Sequence, residues 1–278
     1  MPVVATNTAA NSALRYLNNN SSMASGSVGK LASGSRIVKA SDDAAGLAIG
    51  TRLKADVTAL TQAGINASQG ASVVQVADGG LARIGDVLQR MKALAAQSLS
   101  GVPTNTERGF IDAEFQELRS EITAIAQTTR FNGQSLLDGT APGADYFVGT
   151  DVSDTITVAF TALSGVDGYT STALSMTAGT DVATVTAATG AMTLIDTAIN
   201  TISEARATSG ALISRFEFRG QQIATSLENI DAAKSAIMDV DLAAEQSKLV
   251  SSQVLVQAAV SAVSQANQIP QSLLRVLQ

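Results

Sequence analysis

Two short strings have residue types that could do chemistry. Gly26-Ser27-Val28-Gly29-Lys30 carries the glycines and lysine of a phosphate-cradling loop. That loop also needs a glycine five positions before Gly29, where Ala24 stands, and Ser or Thr after the lysine, where Leu31 stands. Its surroundings have helical spacing and no strand precedes it. Asp239, Asp241 and Glu245 have the chemistry of a divalent-cation site but lack a loop glycine and calcium-type ligand spacing, so they read as helix-surface carboxylates. Beyond these the inventory is empty. With no His and no Cys there is no triad of the usual kind, no structural zinc site and no thiol redox centre. No catalytic residue, cofactor site or metal site is assigned, and the chain is read as a non-enzyme.

The elements that would position such residues are therefore the more informative part. Apolar residues make up 45% of the 278, while charged residues stop at 15%, below the roughly 25% of ordinary soluble domains. The net charge of −6 argues against nucleic-acid binding, which needs a basic face. The uncharged middle is broken by Thr, Gly and Asp, and the first 40 residues lack the compact apolar region of a signal peptide, so no membrane insertion is expected. Between Arg130 and Arg206 there is no Lys or Arg but there are eight acids, a local charge of −8 that leaves +2 for the rest. An acidic middle between mildly basic ends suggests parts built for different surroundings.

Apolar residues alternate at three and four positions over most of the chain, the spacing of coiled-coil seams. The first run is Ala10, Leu14, Leu17, Ser21, Ala24, Val28, Leu31, broken near Ser33-Gly34-Ser35. A second run begins near Ala44 and passes Leu60, Ala63, Ala67, Gly70, Val74, Ala77, Leu81, Ile84, Leu88, Met91 and Ala95. Gly79-Gly80 should cost it about 2 kcal/mol relative to Ala, but the seam keeps phase on both sides and the helix is carried through. A third opens at Thr104, with Glu107 as capping-box partner. Further on, Ile195 to Ile237 forms a second long rod, and Leu249, Gln253, Val256, Val260, Val263 and Asn267 form a last helix expected to stop at Pro270.

The middle reads as β-rich. Asn132-Gly133 and Asp138-Gly139 are hairpin-turn dipeptides, and Thr155–Phe160 and Asp181–Thr186 alternate as strands do. The expected fold is mainly α: a long, coiled-coil-like antiparallel bundle made by both chain ends, with a small β-rich central insert. The domain expectation is a terminal helical part at 1–42 and 236–278, a rod at 43–140 and 190–235, and an insert at 141–189.

Several strings resemble bacterial flagellins. They are Lys30-Leu31-Ala32-Ser33-Gly34-Ser35-Arg36-Ile37, Ala40-Ser41-Asp42-Asp43-Ala44-Ala45-Gly46-Leu47-Ala48-Ile49, Thr129-Arg130-Phe131-Asn132-Gly133, and Ser264 through Leu274. The resemblance covers about residues 5–140 and 190–278. It implies a subunit that polymerises into the extracellular filament of the bacterial flagellum for swimming, exported through the flagellar type III channel. It also implies an export chaperone, a filament cap and hook-junction proteins as partners. Alternatives are a hook–filament junction protein and a self-associating surface adhesin.

The expected self-assembly residues of the terminal coiled coil are Leu14, Leu17, Val28, Leu31, Leu249, Val256, Val260 and Val263. By the same resemblance Gln89, Arg90, Leu94 and Glu114 fall on a rod surface that host flagellin receptors read in some members; subunit packing is the plainer role for them. Thr170, Ser171 and Thr172 of the insert could carry O-linked sugars.

Overall fold

The computed structural model describes residues 7–140, 143–159, 168–177 and 179–276. In chain order its elements are α1 (Thr8–Ser33), α2 (Ala44–Leu99), α3 (Asn105–Thr128), β1 (Arg130–Phe131), β2 (Gln134–Ser135), β3 (Ala144–Phe147), β4 (Thr155–Val158), α4 (Val185–Met238) and α5 (Leu242–Val276). They form two units, residues 1–57 with 229–278 and residues 58–228.

Local chemistry sets each boundary. Asn7 Oδ1 accepts from the Ala10 N–H at 3.0 Å and starts α1. Gly34, at φ 69°, ends it in the left-handed conformation that glycine adopts without strain. Asp42 closes the following loop by accepting from the Val38 and Lys39 amides, and Asp43 caps α2 through the Gly46 N–H at 2.8 Å. Thr104 and Glu107 form the expected capping box of α3. α2 runs unbroken through Gly79-Gly80 for 56 residues.

In the unit of residues 58–228, the α2 seam is buried at Leu60, Ala63, Ala67, Val74, Ala77, Leu81, Ile84, Leu88, Met91 and Ala95. α3 supplies Phe115 and Ile122; α4 supplies Ile195, Ala198, Ile202, Ala205 and Phe216. Gly70 is required by packing, because a Cβ there would stand 2.6 Å from the Phe216 ring. That ring meets Tyr146 of β3 edge-on at 5.5 Å. Among the described residues four ion pairs join different segments of the unit, Arg90–Glu114, Lys92–Asp196, Arg206–Asp78 and Arg219–Asp154, and Arg83–Asp86 lies within α2. All are partly exposed and worth at most about 1 kcal/mol each.

The β content is two small hairpins. β1 pairs with β2 across Asn132-Gly133, both at positive φ as a type I′ turn requires. β3 pairs with β4, with Ala144 opposite Val158 and Phe147 opposite Thr155. The expected strand over Thr155–Phe160 is thus present at 155–158, and Phe160 lies outside the described residues.

Two expectations are corrected. Asp181–Thr186 is not a strand: both backbone groups of Val182 are taken by side chains, its N–H by Asp112 at 2.9 Å and its carbonyl by Ser98 at 2.5 Å. No ladder can form there, and Thr184 instead caps α4 through the Ala187 N–H. Nor does Pro270 end the last helix, which continues to Val276. The carbonyl that a mid-helix proline leaves without a helical donor finds one elsewhere, at Asn7.

Candidate assembly surfaces

α1 and α5 pair within the unit of residues 1–57 and 229–278, and their burial pattern defines the seam. On α1 the more enclosed positions include Ala10, Ala13, Leu17, Asn20, Ala24, Ser27 and Leu31. On α5 they are Glu245, Leu249, Ser252, Val256, Ala259, Val263 and Ala266. Both series step strictly by three and four, as two interlocking helices require.

Of the eight residues expected in the terminal coiled coil, the seam brings together Leu17, Leu31, Leu249, Val256 and Val263. Leu14, Val28 and Val260 are not on it and are 47%, 50% and 52% exposed. Their places are taken one position earlier by Ala13, Ser27 and Ala259. Small residues let the two backbones approach closely, and the larger apolar neighbours are turned outward. Val250, Val254 and Leu255 of α5 are also about half exposed, spread over the faces outside the seam. Among the described residues, Leu242–Gln268 is the stretch long and apolar enough to cross a membrane by length and composition, and most of it is not buried within the chain. Its pairing with α1 and its charged Glu245 and Lys248 make it one half of a helix pair whose other face is uncovered.

Polar contacts fasten the pair. The Ser27 hydroxyl donates to Glu245 Oε1 at 2.7 Å, and Lys248 reaches the other carboxylate oxygen at 3.3 Å. The Ser27 bond, then Lys248, holds the Glu245 carboxyl below its usual range despite the burial that opposes this. At one end, Ser35 and Asp239 form an isolated antiparallel bridge. There the Arg36 N–H meets the Met238 carbonyl at 2.6 Å, and the Val240 N–H meets the Gly34 carbonyl at 3.1 Å. The three carboxylates Asp239, Asp241 and Glu245 go to separate partners. Asp239 accepts from Ser235, Asp241 caps α5 through Ala243 and Ala244, and Glu245 faces Ser27.

In the other unit Gln89, Arg90 and Glu114 are exposed, with Arg90 Nε and Nη2 both on Glu114 Oε1 at 2.9 and 2.6 Å. Leu94 is only 2% exposed and faces the core, which removes it from any surface read by a partner. Exposed Phe110 and Phe218 form no part of that core. Within the insert, Ser171 is buried against Thr123 and Thr170 caps a turn through the Ala173 N–H, so Thr172 is the open hydroxyl of the three.

One residue gave no signal in the sequence. Arg108 is 7% exposed and its closest partners are carbonyls; Nε donates to the Ser98 carbonyl at 2.9 Å and Nη2 to the Ser100 carbonyl at 3.1 Å. It ties the start of α3 to the end of α2, where a cation suits the helix dipole.

Long rods with seams of small residues and a terminal helix pair with an uncovered apolar face are the build of a structural helical protein. Residues 4–141 match the bacterial flagellin N-terminal helical region, and residues 192–277 match the C-terminal helical region. The chain is 38% identical to the flagellin of Halalkalibacterium halodurans over 89% of each chain. It is 31% identical to the flagellar filament 30.7 kDa core protein of Treponema maltophilum over 95% of each. The crystal structure of Bacillus cereus flagellin superposes at a TM-score of 0.50 with 29% identity, covering 61% of this chain and 94% of that one. The chain belongs to the bacterial flagellin family.

Proposed function

We propose that this chain polymerises, copy on copy, through its terminal helix pair into the extracellular filament that drives swimming. The observation that carries this reading is the two-faced construction of α1 and α5. A small-residue seam is satisfied within the chain, while Leu14, Val28, Val250, Val254, Leu255 and Val260 lie outside it. Exposed aliphatic residues in that number on two weakly charged helices are stabilised when neighbouring copies bury them.

In this arrangement residues 1–42 and 236–278 line the filament interior, 43–140 and 190–235 form the rod layer, and the acidic 141–189 insert faces solvent. α1 and α5 pair within one chain and gain stability when neighbouring copies cover their outer faces, so the helix-melting midpoint read by circular dichroism should rise on assembly; an equal midpoint before and after would sink that part. Export runs through the type III channel with a chaperone on the C-terminal region, and a cap and hook-junction proteins flank the polymer. A host receptor would meet Gln89, Arg90 and Glu114, and a reporter assay comparing the parent with Arg90→Ala reads that directly.

Negative-stain microscopy after mild salt or seeding tests the central reading. Long uniform filaments are expected, whereas short rings or persistent monomers would favour a junction protein or an adhesin.

A further inference from the structure

Pro270 lies inside α5 and has no N–H, so the carbonyl four residues earlier, that of Ala266, lacks its helical donor. Ala266 is 7% exposed, which leaves little room for water to replace it. Asn7 Nδ2 supplies the bond at 2.8 Å, across 259 residues of sequence. Oδ1 of the same side chain caps α1. One amide thus serves the start of one helix and the break in its partner. Asp caps as well as Asn but has no donor, and Ser caps as well but is one atom shorter.

The seam itself specifies register weakly. A slip of one heptad exchanges Ala24 with Leu17 or Leu31 and still sets aliphatic against aliphatic at those positions, so apolar packing alone opposes it less sharply than the polar contacts do. The polar contacts do not tolerate that shift. From Asn7 to Ser27 the chain advances 20 residues (7 to 27), and from Glu245 to Ala266 it advances 21 (245 to 266), so both bonds form only in one register. A slipped pair would bring Asn7 to a carbonyl that already has its helical donor and leave that of Ala266 enclosed and unpaired.

We propose that Asn7 is the positioning residue that fixes the register of α1 on α5, by donating to the carbonyl that Pro270 frees. The proposal rests on the terminal pair being the polymerising element, and adds what aligns it. Five full-length versions test it: the parent, Asn7→Ser, Asn7→Asp, Pro270→Ala and the Asn7→Ser, Pro270→Ala double variant. The readouts are the concentration needed for polymerisation and the midpoint of helix melting at fixed concentration. Asn7→Ser should raise the required concentration about fivefold, the worth of one hydrogen bond. Pro270→Ala restores the N–H at position 270, so the same Asn7→Ser change on that background should cost less than about twofold. Asn7→Asp, an equal or better cap, should nonetheless fall with Asn7→Ser.

Equal losses from Asn7→Ser on both backgrounds, or an Asn7→Asp protein as good as the parent, overturns the proposal. If Asn7→Ser fails to fold, a folded double variant supports the latch and an unfolded one overturns it. A parent that never forms filaments refutes the assembly reading instead, and the five melting midpoints still decide the latch.

Discussion

The Ser27 hydroxyl and the Glu245 carboxylate meet at 2.7 Å from opposite helices, in a seam otherwise made largely of Ala, Val and Leu. Glu245 is 6% exposed, and its charge is compensated by that hydroxyl and by Lys248, with Lys30 further off. The folded carboxyl therefore titrates below its ordinary value of 4.5. A carboxyl depressed on folding contributes stability that is present above its ordinary value and is lost as pH falls through the folded one. Helix melting of the α1–α5 pair should accordingly weaken below about pH 4.5. Other depressed carboxyls, Asp42, Glu107 and Asp138, titrate in the same direction, so the diagnostic is a difference. Glu245→Gln keeps an acceptor for Ser27 and should flatten the acid limb relative to the parent; superimposable pH profiles would refute the role.

Gly79 and Gly80 are adjacent in α2 and should respond oppositely to alanine. A Cβ at Gly79 meets nothing within 4 Å, whereas one at Gly80 would stand 2.6 Å from Leu137 Cδ1 and Thr129 Oγ1. Gly79→Ala should stabilise the unit of residues 58–228 by about 1 kcal/mol through helix propensity alone. Gly80→Ala should destabilise it by roughly 1–3 kcal/mol, because the crowded neighbours include a β-branched side chain and a buried leucine. Thermal melting of the two single variants checks both signs.

These two glycines also mark how far the sequence could be read. The α2 seam from Leu60 to Ala95 was legible in full, because every seam position is apolar or glycine and the three-four step holds throughout, even where Val76 and Leu94 stand beside Ala77 and Ala95. On α1 and α5 every second position was misplaced by one residue. Leu14, Val28 and Val260 outweigh their neighbours Ala13, Ser27 and Ala259, and hydrophobic spacing favours the larger residue. The fold favours the smaller one, because close approach and the Ser27–Glu245 bond outweigh a few more buried methyls. Pro270 and the Asp181–Thr186 stretch escaped for another reason. What decides them is a partner far away in sequence: Asn7 for the first, Ser98 and Asp112 for the second. The capping box at Thr104 and the Asn132-Gly133 turn were legible because their chemistry is local.

Arg108 should be intolerant of lysine. Its guanidinium spans the Ser98 and Ser100 carbonyls and Asn105 Oδ1, which a single ammonium cannot cover at once. Arg108→Lys should cost about 1–2 kcal/mol and Arg108→Ala about 2–3 kcal/mol, since each lost charge-assisted bond leaves a helix-end carbonyl unpaired. Loss of hydrogen-exchange protection at Leu99–Gly101 and the first turn of α3, measured on both variants, locates the damage. Unchanged protection there with a lower melting point would assign the effect elsewhere.

The outward row on the terminal helices separates folding from assembly. Leu14, Val28 and Val260 are about half exposed and take no part in the α1–α5 seam, so a Leu14→Ser, Val28→Ser, Val260→Ser protein should lose little within one chain. Surface changes of this kind fall within about ±0.5 kcal/mol each. In a polymer the same side chains are covered, and completing the burial of three half-exposed aliphatic residues contributes roughly 3 kcal/mol per subunit. The triple variant should therefore need a protein concentration more than about a hundredfold higher to polymerise, with the melting of the 58–228 unit unchanged. Sedimentation across a dilution series gives the threshold, and circular dichroism on the same samples gives the fold. Filaments forming at the parent concentration would mean that neighbouring copies contact some other face, and the exposed Phe110 and Phe218 would be the next to change.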